Sequence, residues 1–202
     1  MRPRPQSATA LAAALVVGAV AALAGSAVAA GRRPQVVVDV GHTLAVKGEP
    51  GGGGISLGLS LLWRLEDHFR VGMMTSVDGL GERRDRLIGP GGVDLGPVAG
   101  IHRAAQGTAA RLEAHLPGGH RLEPHLAATW GFVRVKDDVR GVLVQRDDAA
   151  GFGLGAGLLR PFNKHHAAGI ALRAQQLSRA GAGAGGYLNA GLEWRWSMGA
   201  GD

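Results

Sequence analysis

The chain has 202 residues, no cysteine, 35 glycines and a formal net charge of +6. The lack of cysteine excludes a disulfide framework, a thiolate metal site and a cysteine nucleophile. Hydrophobic residues make up 46% of the chain, which is too apolar for a disordered protein. Glycine costs about 1 kcal/mol at a helix position, so this glycine content disfavours a mostly helical fold and favours one domain built from strands.

Residues 1–29 have the three parts of a secretory signal peptide, and residues 30–202 are predicted to form one domain. Arg2 and Arg4 carry the only charges of the first segment, an alanine-rich apolar stretch follows them, and Ala-Val-Ala at 27–29 offers the small residues that a signal peptidase needs. An uncleaved anchor is the alternative, although alanine is a weak membrane former. Sec-type export and the absence of a basic run interleaved with aromatic residues make nucleic acid an unexpected partner.

From residue 35 onward, apolar and polar residues alternate, and this period of two predicts β-strands. The pattern is clearest at 55–65, where odd positions carry isoleucine, leucine and tryptophan while even positions carry serine, glycine and arginine, with Leu62 as the exception. The chain is therefore predicted to be all-β. Eight such segments follow one another, at 36–45, 55–65, 69–78, 108–116, 121–134, 150–159, 166–177 and 186–196.

The links between these strands alternate in length, which is typical of an up-and-down outer-membrane barrel with short periplasmic turns and longer outer loops. An even number of strands places both termini on the periplasmic side. Residues 93–102 resemble a ninth strand, and we interpret them as an extension of the fourth strand or as loop. The short links lie at 66–68, 117–119 and 161–164, and the longer or glycine-rich ones at 46–54, 79–103, 137–149 and 178–185.

The composition of the polar face indicates which side of the barrel meets lipid. A lipocalin-like barrel turns its apolar face inward, whereas a membrane barrel turns it toward acyl chains. Here the polar face is rich in glycine and serine and carries charges of both signs, which suits a narrow lumen where charges pair. A solvated polar face on a soluble barrel is the alternative. The predicted lumen charge network consists of Arg64, Arg70, Arg111, Glu113, Glu123, Arg173, Glu193 and Arg195.

The aromatic residues sort into two bands along the predicted strands, as the interfacial girdles of a membrane barrel do. Tyr187 points inward by its position in the alternation, and the other aromatic residues fit the bands. The inner band contains Trp63, Phe69, Phe162, Trp194 and Trp196, and the outer band contains Trp130, Phe132, Phe152 and Tyr187.

Three stretches carry a resemblance to a known superfamily: Arg-Leu-Glu-Pro-His at 121–125 leading into Trp-Gly-Phe at 130–132, the glycine-rich run at 153–157, and Leu-Glu-Trp-Arg-Trp at 192–196. Over 35–196 the chain resembles eight-stranded outer-membrane barrels of the OmpA/OmpX type. The resemblance implies an eight-stranded antiparallel up-and-down transmembrane β-barrel in the outer membrane of a Gram-negative bacterium. It also implies that Trp196 is the signal that the barrel assembly machinery recognises.

A narrower resemblance is to lipid A deacylases, which are eight-stranded barrels with a His-x-Ser-Asn motif on the next-to-last strand. The matching place reads Gln-Leu-Ser-Arg at 176–179, so Ser178 is present and Gln176 replaces the histidine. Glutamine cannot accept the serine proton, and the resemblance therefore implies an inactive relative. We predict no catalytic residue.

Histidines and basic residues suggest two further kinds of site. The histidines are scattered, so neither a metal nor a cofactor is predicted, although His115 and His125 both point inward. Guanidinium groups on predicted outer loops suit the anionic headgroups of lipopolysaccharide, but acidic residues lie among them and a solvated loop is the equal alternative. The residues concerned are Arg83, Arg84, Arg86, Lys136 and Arg140.

These observations predict a monomeric outer-membrane barrel with a lumen filled by side chains and a structural or surface-interaction role. Its expected partners are outer-membrane lipid, lipopolysaccharide and the barrel assembly machinery, contacted in part through loops 79–103 and 137–149. A barrel this narrow is not expected to conduct solutes. Two alternatives remain: an inactive deacylase-like barrel and a periplasmic lipocalin-like binder.

Overall fold

The structure is a computed structural model that describes residues 34–47, 52–88, 94–117, 121–139, 142–179 and 183–198. The predicted signal peptide lies outside these residues. In the ranges given, no helix has the length and apolar character needed to cross a membrane.

Eight strands form one closed barrel in which each strand pairs antiparallel with the next and the first pairs with the last. This confirms the predicted eight-stranded antiparallel up-and-down architecture. Links at 65–68 and 162–165 join strands at one end, which we call the short-turn end, and we call the other the hairpin end. The strands are β1 (Pro34–Lys47), β2 (Gly53–Arg64), β3 (Phe69–Ile88), β4 (Asp94–His115), β5 (Glu123–Val139), β6 (Val142–Pro161), β7 (His166–Arg179) and β8 (Gly183–Ser197).

The alternation places the apolar face outside and the polar face inside. On β2, Leu57 and Leu59 are 52% and 50% exposed, whereas Ser56 and Ser60 are 4% and 1% exposed. This orientation is the reverse of a lipocalin-like barrel, which needs its apolar face inside. Leu62, the exception in the alternation, points into the lumen at the short-turn end and is fully buried.

Strands β3 to β6 extend further beyond their predicted segments at the hairpin end than the other strands do. Residues 79–103 and 137–149, expected to be loops, belong largely to β3 and β4 and to β5 and β6, and residues 94–102 extend the fourth strand. Charged residues such as Glu82 and Arg103 occupy strand positions in these stretches, so the period-two signal of apolar and polar residues is lost. The register of the β3–β4 pair shifts between Gly79 and Gly81, where φ of Gly81 is +94° and a Cβ would lie 2.8 Å from the Cα of Gly52.

The extended parts of β3 to β6 rise above the rest of the barrel, and we call them the strand wall. β2 pairs with β3 only as far as Asp78, and β7 pairs with β6 only as far as Ala149. The described ladder between β6 and β7 ends at Ala149, whereas β6 continues to Val142 in its ladder with β5.

Candidate functional site

Four of the predicted lumen charges form one buried cluster toward the short-turn end. Glu113 accepts hydrogen bonds from Arg111 and Arg195, each at 2.6 Å. Glu193 also pairs with Arg195, and it lies 3.2 Å from Arg111. All four side chains are buried. Because two carboxylates alternate with two guanidiniums, each buried charge has an opposite partner, which is the condition for burying it.

The alternation of the strands explains why these charges meet. Arg111 and Glu113 are two residues apart on β4, and Glu193 and Arg195 are two residues apart on β8, so each pair shares the inward face. β4 and β8 lie on opposite sides of an eight-stranded ring. The cluster therefore crosses the lumen and ties two opposite walls together.

Residues that the sequence did not assign complete this cluster. The Asp39 carboxylate accepts a hydrogen bond from Arg111 at 3.1 Å, and the Ser60 hydroxyl accepts one from the same side chain at 3.0 Å. Arg70, which was predicted, contacts the ring of His115, and His115 lies 3.3 Å from Glu113. Asp39 occupies an inward position in the alternation of its strand, but the alternation is weakest in that predicted strand.

Three predicted lumen charges lie apart from this cluster. Arg64, at the end of β2, turns toward solvent, where its side chain is 61% exposed and pairs with Asp67 of the adjoining turn. Glu123 is half-buried at the first position of β5. Arg173 points into the lumen closer to the hairpin end, where it lies 3.4 Å from Asp78. Parity placed Arg64 inside, but at a strand end a long side chain can leave the lumen.

Asp78 is the centre of a second polar network, nearer the hairpin end. Its carboxylate is fully buried, and five side chains surround its two oxygens, so the charge is compensated mainly by hydrogen bonds. The sequence placed Asp78 on the inward face without assigning it to the network. The donors are Ser56 (2.5 Å), Ser76 (3.0 Å), Arg173 (3.4 Å), Tyr187 (3.0 Å) and Asn189 (2.9 Å).

A cavity of about 50 Å³ separates the two networks. It is lined in part by the backbone of Gly153 and Gly155 and by Arg111 and His125. The Nε of Arg111 and the Nδ1 of His125 are buried without a protein partner, as groups that bond to ordered water commonly are. A cavity of this size has room for roughly three water molecules, which is too small for an organic ligand.

Apolar side chains fill the lumen above Asp78. A buried ion pair lies further toward the hairpin end, where Arg103 donates to Asp137 through two hydrogen bonds of 2.6 Å each. The sequence missed this layer because several of its members lie in segments predicted to be loops. The apolar cluster consists of Leu80, Ala105, Val133, Val135, Ala149, Leu177 and Tyr187.

Three of the buried groups have the spacing of metal ligands. One donor atom each from Glu113, His125 and Glu193 lies within 4.8 Å of the others. Arg111 and Arg195 already pair with both carboxylates. A metal ion bound to these oxygens would therefore be repelled by two adjacent guanidinium groups. The residues present therefore do not fit a metal ion. The rings of His115 and His125 stack with centroids 5.6 Å apart, as their inward positions suggested.

The deacylase-like motif lies on the outer face of β7. Ser178 and Gln176 are both exposed there, and Ser178 pairs in the ladder with Ala150 and Ala184. Among the residues that the structure describes, no histidine forms a hydrogen bond with Ser178. The described contacts of Ser178 are therefore those of the strand ladder, without the His–Ser hydrogen bond of the deacylase motif.

Of the basic residues assigned to lipopolysaccharide, only Lys136 has a described side chain, which is half-buried on the strand wall. Arg83, Arg84 and Arg86 belong to the extended part of β3, but their side chains, like Arg140, lie outside the described residues.

The aromatic bands have the expected places on the barrel. Trp194 contacts Phe162 and His166 on the outside of the short-turn end, with ring centroids 6.1 Å and 5.5 Å apart. Trp196, the predicted assembly signal, is exposed on the same face of the last strand. Tyr187 is buried in the lumen. The outward-facing residues of the second band, all exposed, are Trp130, Phe132 and Phe152.

Solved structures share this architecture. Neisserial surface protein A is 13% identical, with a TM-score of 0.65, and the match covers 82% of this chain and 97% of that one. The N-terminal β-barrel domain of OprF from Pseudomonas aeruginosa is 14% identical, with a TM-score of 0.49 and coverage of 82% and 98%. The outer membrane enzyme PagL is 16% identical, with a TM-score of 0.43 and coverage of 81% and 99%.

No protein-family model matches the chain, and no curated protein matches it in sequence. The similarity to Neisserial surface protein A therefore shows the fold and leaves the role open. The class that the architecture defines is the small eight-stranded barrel of the outer-membrane type.

Proposed function

We propose that the protein is a monomeric, non-enzymatic barrel of the outer membrane of a Gram-negative bacterium, exported by the Sec route after removal of residues 1–29. The observation that carries this proposal is the orientation of the two faces, with a band of half-exposed leucine and valine outside and paired arginine and glutamate inside. Water on the outer face would make that orientation costly, because each apolar side chain left in water forfeits about 1.5–3 kcal/mol.

The filled lumen supports a role on the outer surface. The charged cluster, the Asp78 network, the apolar layer and the Arg103–Asp137 pair follow one another along the axis and obstruct a solute path. Partners are therefore expected on the strand wall, which replaces the loops 79–103 and 137–149 as the contact surface.

Location in the outer membrane is tested by expression in a Gram-negative host with fractionation and unheated gel electrophoresis. We expect the protein in the outer-membrane fraction and a folded band whose migration changes on boiling. Recovery as a soluble periplasmic protein would contradict the proposal.

The strand wall is expected to be dispensable for assembly. Replacing 84–100 with Asn-Gly joins paired positions of β3 and β4 through a two-residue turn that suits hairpins. Because the removed part lies beyond the lipid-facing belt, the shortened chain should reach the outer membrane and show the same heat-modifiable band as the full chain. Failure to assemble would show that the wall belongs to the folding core and is not simply a contact surface.

The absence of deacylase activity is tested by the mass of lipid A from cells that express the protein. We expect an unchanged acyl chain number, with the wild type and Ser178→Ala indistinguishable, because Ser178 has no base. Loss of an acyl chain that depends on Ser178 would establish the enzyme alternative.

A further inference from the structure

A polar depression interrupts the lipid-facing surface of β3 to β6 toward the hairpin end. Two neighbouring rows of residues that pair across β3 to β6 form it. One row runs through Thr75, Thr108 and Phe132, and the next runs from Val77 to Asp148. Thr75 pairs on its other side with Leu59 of the apolar belt, which shows that the depression faces outward. The groove has a volume of about 580 Å³, and its outward-facing lining includes Thr75, Gln106, Thr108, Phe132, Arg134 and Asp148.

The chemistry of the groove differs from that of the belt around it. Arg134 donates through Nε to Asp148 at 2.9 Å, and Gln106 lies beside Arg134 in the same row. The Thr75 hydroxyl donates to the carbonyl of Gly107 at 3.1 Å. Polar groups that face hydrocarbon are costly unless they are hydrogen-bonded, so this combination favours a ligand that supplies polar partners and also accepts an apolar wall.

We propose that this groove binds one phosphorylated glycolipid of the outer leaflet, the lipid A part of lipopolysaccharide. Its phosphate lies on Arg134, hydroxyl or amide groups of its sugar meet Gln106 and Thr108, and an acyl chain follows Phe132. This inference rests on the proposed outer-membrane location. The site is distinct from the basic residues of the wall that the sequence assigned to lipopolysaccharide.

The donors of the groove select this ligand. A guanidinium has five donors in a planar fork, so the carboxylate of Asp148 on Nε leaves further donors for a phosphate. A phosphate alone would need only Arg134, whereas the amide and hydroxyl groups next to it suit a headgroup with several hydrogen-bonding positions. A sugar phosphate supplies these, and the small headgroup of phosphatidylglycerol supplies fewer.

Asp148 makes the proposal sharply testable, because its carboxylate competes with the phosphate for Arg134 and also repels it. Arg134→Gln is therefore expected to weaken lipid A binding about tenfold, the loss expected for a charge-assisted contact of about 1.4 kcal/mol. Asp148→Asn is expected to tighten binding severalfold. A purely structural ion pair would respond differently, since removal of either partner would disturb the groove in the same direction.

The measurement is native mass spectrometry of the purified full chain, titrated in detergent with lipid A, dephosphorylated lipid A or phosphatidylglycerol. Gln106→Leu weakens binding, while two matched outward-facing variants leave it unchanged: Arg160→Gln near the short-turn end and Gln176→Leu on β7. Each variant is first shown to be folded by its heat-modifiable band and to reach the outer membrane. A binding failure is thereby separated from a failure of the proposed location.

The outcomes decide the proposal in either direction. One retained lipid A per barrel, loss of binding on dephosphorylation and opposite effects of the Arg134 and Asp148 variants support it. Equal binding by Arg134→Gln and Arg160→Gln overturns the site. Binding of phosphatidylglycerol as tight as that of lipid A overturns the glycolipid assignment, and weaker binding by Asp148→Asn overturns the role of Arg134.

Discussion

Replacing Glu113 with glutamine is expected to lower the free energy of unfolding by about 3–5 kcal/mol, the cost of removing one partner from a buried ion pair. The substitution keeps the shape of the side chain and removes its charge. Both oxygens of Glu113 now face guanidinium groups, those of Arg111 and Arg195, and each pair is buried. With the carboxylate gone, the three guanidiniums of the cluster (Arg70, Arg111 and Arg195) face only two carboxylates (Glu193 and Asp39), and the lumen holds an uncompensated positive charge.

Unfolding in urea of protein folded in detergent or lipid vesicles measures this effect. Arg64→Gln is the matched control, because its pair with Asp67 is exposed and such pairs contribute about 0–1 kcal/mol. A double variant with Arg195→Gln removes the excess charge and is expected to recover part of the loss, since neighbouring sites in one network are not additive. Equal stability of the Glu113 and Arg64 variants would show that the lumen cluster does not hold the barrel together.

The sequence was informative about the inward face of this cluster and silent about its pairings. Parity along a single strand is local, so it identified Arg111, Glu113, Glu193 and Arg195 as inward residues. Which of them meet depends on the register between strands on opposite sides of the ring, and no local pattern contains that register. Asp78 was missed for the same reason, because its donors come from β2, β3, β7 and β8.

The strands themselves were predictable only along the apolar belt. There the exposed apolar residues impose the period of two, and the eight predicted segments coincide with the barrel. In the strand wall, charged residues such as Glu82 occupy strand positions without destroying the pairing. The apolar layer above Asp78 was hidden by the same error, because Leu80 and Ala149 were assigned to loops.

The layered lumen stabilises the barrel, and the outer surface carries the expected contacts. Most charged groups of the described lumen are paired within it, so the interior stabilises the barrel, and the cavity between its two networks is about 50 Å³. The surface carries the features to which we assign contacts: the strand wall and the polar groove around Arg134. Both lie toward the hairpin end, on strands β3 to β6, which concentrates the expected contacts on one side of the barrel.

Replacing Leu59 with arginine is expected to cost about 2–4 kcal/mol of folding free energy in a bilayer, the cost of a charged side chain at the midplane of a lipid-facing strand. Leu59 lies near the middle of β2, exposed between Val38 and Thr75 on the outward face. Ile55 has the same orientation on the same strand, but it lies two residues from the start of β2 at the hairpin end. Ile55→Arg is therefore expected to cost only about 0–1 kcal/mol, because the long side chain reaches the interface.

Folding into lipid vesicles, followed by urea titration, measures both variants under the same conditions. The difference between them is more informative than either value, because leucine and isoleucine have equal volumes and the introduced side chain is the same. The loss of folding free energy depends on the position of the arginine along the barrel axis only if a layer of low dielectric constant surrounds the middle of the barrel. On a barrel surrounded by water, arginine at either position would keep its hydration shell, and equal small costs would contradict the assignment of this face to lipid.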